Sequence, residues 1–179
     1  NKKWKKEKKG ESWYAGETLI CAIGQGFVLT NPFQLAVMTS IIASNGKMIE
    51  PTIIKGNGVS FKTNDKYSKE IKIIKKAMFK VVNENKGTAF KSRLQDIKFA
   101  GKTGTSQVRR ISISERESDD FREKEQEWKN RDHALFVGYM PHDDPKYSIS
   151  VVIEHGGSGA STAAPIAKQV FNYINELEV

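Results

Sequence analysis

One short stretch of the chain places a cation, a permissive backbone position and two hydroxyls side by side: Lys102, Thr103, Gly104 and Thr105. An ammonium group near paired hydroxyls can hold a carboxylate, and a glycine allows another backbone to approach closely. Backbone N–H groups on a strand edge can also stabilise the oxyanion of a tetrahedral intermediate. These four residues therefore fit the binding of a peptide-like acyl donor with a free carboxylate.

The element that must position them is a strand, predicted over residues 99–108. Alternation along a strand puts Lys102 and Gly104 on one face and Thr103 and Thr105 on the other, unless a bulge intervenes. Glycine weakens a strand interior, so Gly104 indicates either a bulge or something that must come close to the backbone.

Two further strands are predicted downstream. "HALFVGYMP" is apolar on both faces, so we expect it inside a covered sheet, and "YSISVVIEH" alternates apolar and polar residues. The turn formers of "PHDDPK" join them, which predicts an antiparallel hairpin of residues 134–140 with 147–154.

Helical periodicity occurs in three places. We expect a helix after Asn31 that ends near Gly46, a second from Ser68 to about Gly87, and a third from about Thr162 to Leu177. Four lysines of the second helix are predicted to form its solvated face: Lys72, Lys75, Lys76 and Lys80.

The remaining segments are predicted to be irregular. Residues 1–30 look irregular or extended, residues 55–65 form a loop, and residues 109–132 form a long polar excursion with some helix around 121–128. Residues 1–9 hold six lysines and one glutamate, a net of +5 out of a total of +8. We expect residues 1–10 to be a mobile basic terminus; the alternative is a surface that meets anionic lipid, nucleic acid or an acidic polymer.

The chain offers little for a metal or a disulfide. It has one cysteine, Cys21, and three scattered histidines, His133, His142 and His155. Because neither residue type forms a ligand pair with a recognisable spacing, the sequence predicts no metal and no cofactor.

Beyond the chemistry of its residues, the Lys102-Thr103-Gly104 stretch followed by Thr105 resembles the third conserved box of penicillin-binding transpeptidases and serine β-lactamases. Its surroundings resemble class B penicillin-binding proteins over residues 12–177, notably "GETLICAIGQGFVLTNPFQLAVMTSIIASNGK", "NKGTAF" and "ALFVGYMPHDDPKYSISVVIEHGGSG". "SWYAGET" favours the penicillin-binding protein 2, or elongation, branch.

The resemblance implies an α+β fold: a partial β-lactamase/transpeptidase-like domain with a three-stranded antiparallel sheet and packed helices. The family also needs a Ser-x-x-Lys box and a Ser-x-Asn box. The one Ser-x-x-Lys string here, Ser44 to Lys47, lies at a predicted helix end rather than a helix start, and no Ser-x-Asn occurs. We therefore expect residues 1–179 to be a single partial domain, the C-terminal part of a larger transpeptidase.

By resemblance, Lys102 supplies positive potential, and the hydroxyls of Thr103 and Thr105 bind the substrate carboxylate. Gly104 leaves room for the ligand, and the Thr105 N–H is one oxyanion-hole donor. The implied ligands are D-Ala-D-Ala stem peptides and β-lactams. The implied partners of the full-length protein are a SEDS-type glycosyltransferase and elongation-complex proteins. An N-terminal helix outside this chain would anchor the enzyme at the periplasmic face of the inner membrane.

Two alternatives stay open on the sequence alone. One is a fragment of a class D β-lactamase or β-lactam sensor, which shares the Lys-Thr-Gly box. The other is a basic nucleic-acid-binding module, although its lysines are not interleaved with stacking aromatics; the resemblance implies no nucleic acid. A partial domain would also leave strand 147–154 with a free edge, so we expect a dimer or an element swap there.

Overall fold

A computed structural model describes residues 1–54, 61–63, 65–108 and 127–177 of the chain. It falls into two compact units, Asn1–Asn31 and Pro32–Val179, which are described separately; the prediction of one partial domain stays a prediction. The helices and strands of the described residues are α1 (Lys2–Lys9), α2 (Ala15–Ala22), α3 (Pro32–Ala43), β1 (Lys47–Ile49), β2 (Phe61–Thr63), α4 (Ser68–Asn83), β3 (Ala100–Ser106), β4 (His133–Met140), β5 (Tyr147–Ile153) and α5 (Ala164–Leu177).

The first unit contains two helices where the sequence predicted irregular backbone, so that prediction is wrong for α1 and α2. The reason is a network around Lys5, which is 1% exposed. Its Nζ donates to the Ser12 carbonyl at 2.8 Å and to Glu17 Oε1 at 2.5 Å. The other Glu17 oxygen accepts the N–H of Tyr14 at the start of α2. Glu17 thereby raises the pKa of Lys5, and Lys5 lowers that of Glu17.

The second unit is built on an antiparallel sheet in the order β3–β4–β5. The register runs without interruption from Ala100 opposite Tyr139 to Ser106 opposite His133. The predicted three-stranded sheet, including the β4–β5 hairpin, is confirmed. Within the described residues both β3 and β5 are edge strands, and the association predicted through β5 stays a prediction.

One face of the sheet packs against α5. Its core includes Phe99, Phe136 and Phe171, all fully buried, with Phe99 in ring contact with both others. The alternating apolar residues of β5 pack against the same cluster, as the sequence predicted. The other face packs against α3 and α4, where Tyr139 and Ala100 are buried. β4 is thus covered on both faces, which explains its continuous apolar sequence.

The predicted helices are present with small shifts at their ends. α3 begins at Pro32, where the missing N–H costs nothing. It ends in left-handed backbone at Asn45 and Gly46, whose N–H groups bond to Ile42 and Ile41 carbonyls. α5 is preceded by a π-helical turn, Gly159–Ala163.

Two predicted loops turn out differently or lie outside the described part of the chain. Residues 55–65 were predicted to be a loop, but Phe61–Thr63 pairs with Lys47–Ile49 as a short two-stranded sheet. Most of the polar excursion, residues 109–126, and with it most of the predicted helix, lies outside the described residues; Trp128–Asn130 forms a single 3₁₀ turn. No helix in the described ranges has the length and apolar character to cross a membrane.

Candidate functional site

Lys102, Thr103, Gly104 and Thr105 lie together in the middle of β3. Because β3 pairs with β4 in unbroken register, there is no bulge, and strand alternation holds. Lys102 and Gly104 therefore point to one face of the sheet, and Thr103 and Thr105 to the other. Lys102 and Thr105 are exposed, and Lys102 Nζ lies 2.6 Å from the Thr103 carbonyl oxygen. The site presents a cation and a hydroxyl to solvent on an edge strand.

A hydroxyl from outside the strand completes this arrangement. Thr88 Oγ1 lies 2.8 Å from Thr103 Oγ1, a hydrogen bond in which either can donate. Thr88 belongs to the "NKGTAF" turn, which a hydrogen bond from Ala89 N to the Val81 carbonyl holds against α4. The turn was recognisable in the sequence only by resemblance, and Thr88 was not predicted, because no local pattern shows that the turn reaches β3.

Gly159 lies very close to the backbone of β3 and β4 near Gly104. The side chains at positions 104 and 135 point to one face, which leaves the backbone bare on the other face. Gly159 packs there: a Cβ on Gly159 would lie 2.3 Å from the Gly104 carbonyl oxygen and 2.4 Å from that of Leu135. A Cβ on Gly104 itself would meet the Leu135 Cβ at 3.3 Å and no atom of Gly159, so this close approach requires glycine at position 159 and not at position 104. Room for a ligand at Gly104 stays a prediction.

Asp132 holds the segment that directly follows β3. Its carboxylate accepts the Val108 N–H at 3.4 Å, and its carbonyl accepts the Gly157 N–H at 2.8 Å. The corner that carries Gly159 is therefore tied to the same residue as the end of β3. These two contacts of Asp132 are visible only in the folded structure, because no sequence motif marks this residue.

Two of the three histidines, which are far apart in the sequence, are adjacent in the structure. His133 Nδ1 accepts the backbone N–H of His155 at 2.9 Å, and the two rings contact at 4.8 Å between centroids. His155 Nδ1 lies 3.0 Å from the Arg131 carbonyl, so this nitrogen carries the proton. Within the described residues no three His, Cys, Asp or Glu side chains converge as metal ligands.

The Ser44 of the Ser-x-x-Lys string lies after the last residue of α3. Its hydroxyl contacts the carbonyls of Ile41 at 3.3 Å and Lys47 at 3.1 Å. A serine bonded to helix-end carbonyls lacks the basic partner that an attacking hydroxyl needs.

Comparisons with known proteins bear on the whole chain. A family model described as the penicillin binding protein transpeptidase domain matches residues 3–172. The peptidoglycan D,D-transpeptidase MrdA of Haemophilus influenzae is 31% identical over 96% of this chain and 28% of its own length. MrdA of Acinetobacter baumannii is 34% identical over 97% of this chain and 26% of its own length.

The solved structures that are similar to this chain include penicillin-binding proteins of the same kind. A complex of PBP2 with MreC from Helicobacter pylori matches with a TM-score of 0.83 and 32% identity, over 99% of this chain and 30% of that chain. PBP2 of Pseudomonas aeruginosa, in complex with WCK 5153, matches with a TM-score of 0.70 and 31% identity, over 96% of this chain and 35% of that one. The chain thus spans about a third or less of these relatives.

Proposed function

Because the chain belongs to the penicillin-binding protein transpeptidase domain family, we propose that β3 is the substrate-binding strand of a serine-type peptidoglycan D,D-transpeptidase. The family prediction and the partial transpeptidase-like fold are confirmed, and the penicillin-binding protein 2 branch agrees with the relatives. These relatives also favour a transpeptidase over the class D β-lactamase alternative. The observation that carries the proposal is an exposed Lys102 and Thr105 on an unbulged edge strand.

Each residue has a role that follows from its chemistry. The Lys102 ammonium supplies positive potential near the attacking serine and the substrate carboxylate, and the Thr103 and Thr105 hydroxyls hold that carboxylate. The Thr105 backbone N–H is one oxyanion-hole donor. Thr88, through its 2.8 Å contact, is a positioning residue for the Thr103 hydroxyl. Gly104 leaves the strand open to a ligand backbone.

The reaction is acyl transfer in two steps. A serine hydroxyl attacks the carbonyl carbon of the penultimate D-Ala, the peptide bond breaks, and the terminal D-Ala leaves with the proton. An amine from a neighbouring stem peptide then attacks the ester and releases the serine, which cross-links the two peptides. We infer that the serine comes from a part of the enzyme outside these 179 residues, since the contacts of Ser44 do not suit a nucleophile.

The setting of the full-length protein is part of the same proposal. The Helicobacter pylori relative was solved as a complex with MreC, so we propose that the full-length protein also works with elongation-complex proteins, among them a SEDS-type glycosyltransferase. A stem peptide or β-lactam would meet β3 at the periplasmic face of the inner membrane, with the anchoring helix supplied by another part of the protein.

The test measures the rate at which fluorescent penicillin acylates the full-length enzyme. It compares two variants with the wild type. Lys102→Ala should lower the rate roughly 100-fold or more, the size of effect seen when one electrostatic contact to a transition state is removed. Lys98→Ala, which removes an exposed lysine close by in the chain, is the control and should stay near the wild-type rate. A Lys102→Ala rate within about threefold of wild type would overturn the role of β3.

A second arm tests where the nucleophile lies. The 179-residue chain alone should form no covalent adduct with labelled penicillin, because the attacking serine is outside it. A stoichiometric adduct would contradict this part of the proposal and would direct attention to a serine within these residues.

A further inference from the structure

A cluster of cationic side chains lies outside the β3 site, in an open cavity of about 340 Å³. We call it the lysine pocket. It forms where the end of α3, one side of α4 and the turn between β4 and β5 meet. Its lining residues are Asn45, Lys72, Lys75, Lys76, Phe79, His142 and Asp143.

Lys75 is the fixed element of the lysine pocket, although the sequence predicted it to be part of a solvated face. Its Nζ donates to the Ala43 carbonyl at 2.8 Å and to Asn45 Oδ1 at 2.9 Å. It thereby caps the last turn of α3, where cations are favoured. These two acceptors use two of the three N–H bonds of the ammonium group, and Nζ also lies 5.7 Å from the centroid of the Tyr139 ring. Partial burial lowers the pKa of Lys75, while Asp143 opposes that shift.

His142 is the second fixed group. Tyr139 is fully buried, and its hydroxyl lies 3.1 Å from His142 Nδ1. The His142 ring also packs on Phe79 at 4.5 Å between centroids. Burial lowers the pKa of His142 and favours the neutral ring. A tyrosine hydroxyl can donate to Nδ1 or accept from it, so this contact holds the ring in place without fixing which nitrogen carries the proton.

The charges of the pocket are unbalanced. Lys72, Lys75 and Lys76 bring three positive charges, and Asp143 brings one negative charge, which gives a formal net of +2. Lysine is a common point-charge partner of phosphate. The cavity has the liquid volume of roughly ten waters, which is larger than a bare oxyanion.

We propose that the lysine pocket binds a doubly charged phosphate-type oxyanion, either free phosphate or the phosphate of a small phosphorylated molecule. The fixed Lys75 supplies a pre-positioned cation beside the His142 ring, and the exposed Lys72 and Lys76 supply charge from α4. This binding is separate from the transpeptidase role of β3 and does not depend on it.

The test is calorimetric titration of the full-length protein with inorganic phosphate, glycerol phosphate and succinate at one pH and ionic strength. The pocket variant is Lys72→Gln with Lys76→Gln, since both lysines are exposed and their loss should leave the fold intact. The matched control is Lys69→Gln with Lys91→Gln, which removes the same charge from exposed positions that do not line the pocket.

We expect saturable binding of a phosphate probe, weakened at least about tenfold in the pocket variant and less than about twofold in the control. Tighter binding of glycerol phosphate would assign a phosphorylated small molecule, and equal binding would assign free phosphate. Three results would overturn the proposal: no saturation by either phosphate, an equal loss in both variants, or succinate binding as tightly as phosphate. Unfolding midpoints of both variants check that they remain folded.

Discussion

The two lysine-bearing regions of the second unit differ in how their cations are held. On β3, Lys102 is an exposed side chain on an edge strand, and the geometry around it comes from backbone packing by Gly159. In the lysine pocket, Lys75 is half-buried and held by two acceptors, and the geometry comes from a polar network that includes His142. A substrate strand must stay accessible, whereas a pocket at a helix end can also serve as a cap.

This difference explains why one region was visible in the sequence and the other was not. The β3 residues are consecutive, so their chemistry appears as a string of four letters. The lysine pocket is assembled from three segments, and the contact between Lys75 and Asn45 spans 30 positions. A lysine at helical spacing on an amphipathic helix has the same local pattern whether it faces water or caps another helix.

The largest expected effect tests the packing of Gly159 against the backbone of β3 and β4. Gly159→Ala places a methyl group 2.3–2.4 Å from two carbonyl oxygens of β3 and β4, which cannot move independently of the sheet. We expect a loss of about 3 kcal/mol in the free energy of unfolding, the upper end of ordinary overpacking costs. Chemical denaturation of the chain measures it.

Gly16→Ala is the matched control, since a Cβ there meets nothing within 4 Å and Gly16 lies inside α2. Its stability should be unchanged or raised by up to about 1 kcal/mol. If Gly159→Ala lowers the free energy of unfolding by less than about 0.5 kcal/mol, the sheet tolerates the methyl group. Close backbone approach would then not be the reason for glycine at position 159.

The next largest effect tests the polar network behind the lysine pocket. Burial, with a further contribution from Asp143, raises the pKa of Tyr139 to about 12. Between about pH 10 and pH 12 the folded state keeps the tyrosine proton that the unfolded state releases, so stability should fall as pH rises through this window. Allowing for screening at the open pocket, the loss should be roughly 1–2 kcal/mol.

Tyr139→Phe is the reference for this measurement. Denaturation at pH 9 and pH 12 should show a smaller alkaline loss in the variant than in the wild-type chain, because the phenylalanine has no proton to release. Equal alkaline losses in the two proteins would mean that Tyr139 does not contribute to the pH dependence.

Much of the fold followed from periodicity, for reasons that differ between elements. The continuous apolar run of β4 and the alternation in β5 each reflect which faces are covered, so both strands and their hairpin were predictable. α1 was not, because its stability rests on a buried lysine that bonds to Glu17 twelve positions away. A run of lysines has no apolar stripe to indicate burial.

The candidate site was predictable only as far as it is continuous in sequence. The motif located Lys102 to Thr105, and resemblance supplied their roles. The residues that hold the strand in place, Thr88, Asp132 and Gly159, come from three separate turns. Their types are ordinary for turns, so nothing in their local sequence separates a turn that touches the site from one that does not.

The smallest expected effect asks whether Thr88 belongs to the β3 region at all. Thr88→Val removes the hydroxyl that lies 2.8 Å from Thr103 Oγ1 while keeping the side-chain shape. The loss in unfolding free energy should be about 1 kcal/mol, the typical net value of one hydrogen bond. A double-mutant cycle with Thr103→Val separates the pair from its surroundings, and the coupling energy should be at least about 0.5 kcal/mol.

In the full-length enzyme Thr88→Val should weaken penicillin acylation less than Thr103→Val does, because it misplaces the Thr103 hydroxyl but does not delete it. Additive single effects together with unchanged acylation would make Thr88 a turn residue that only lies near the site.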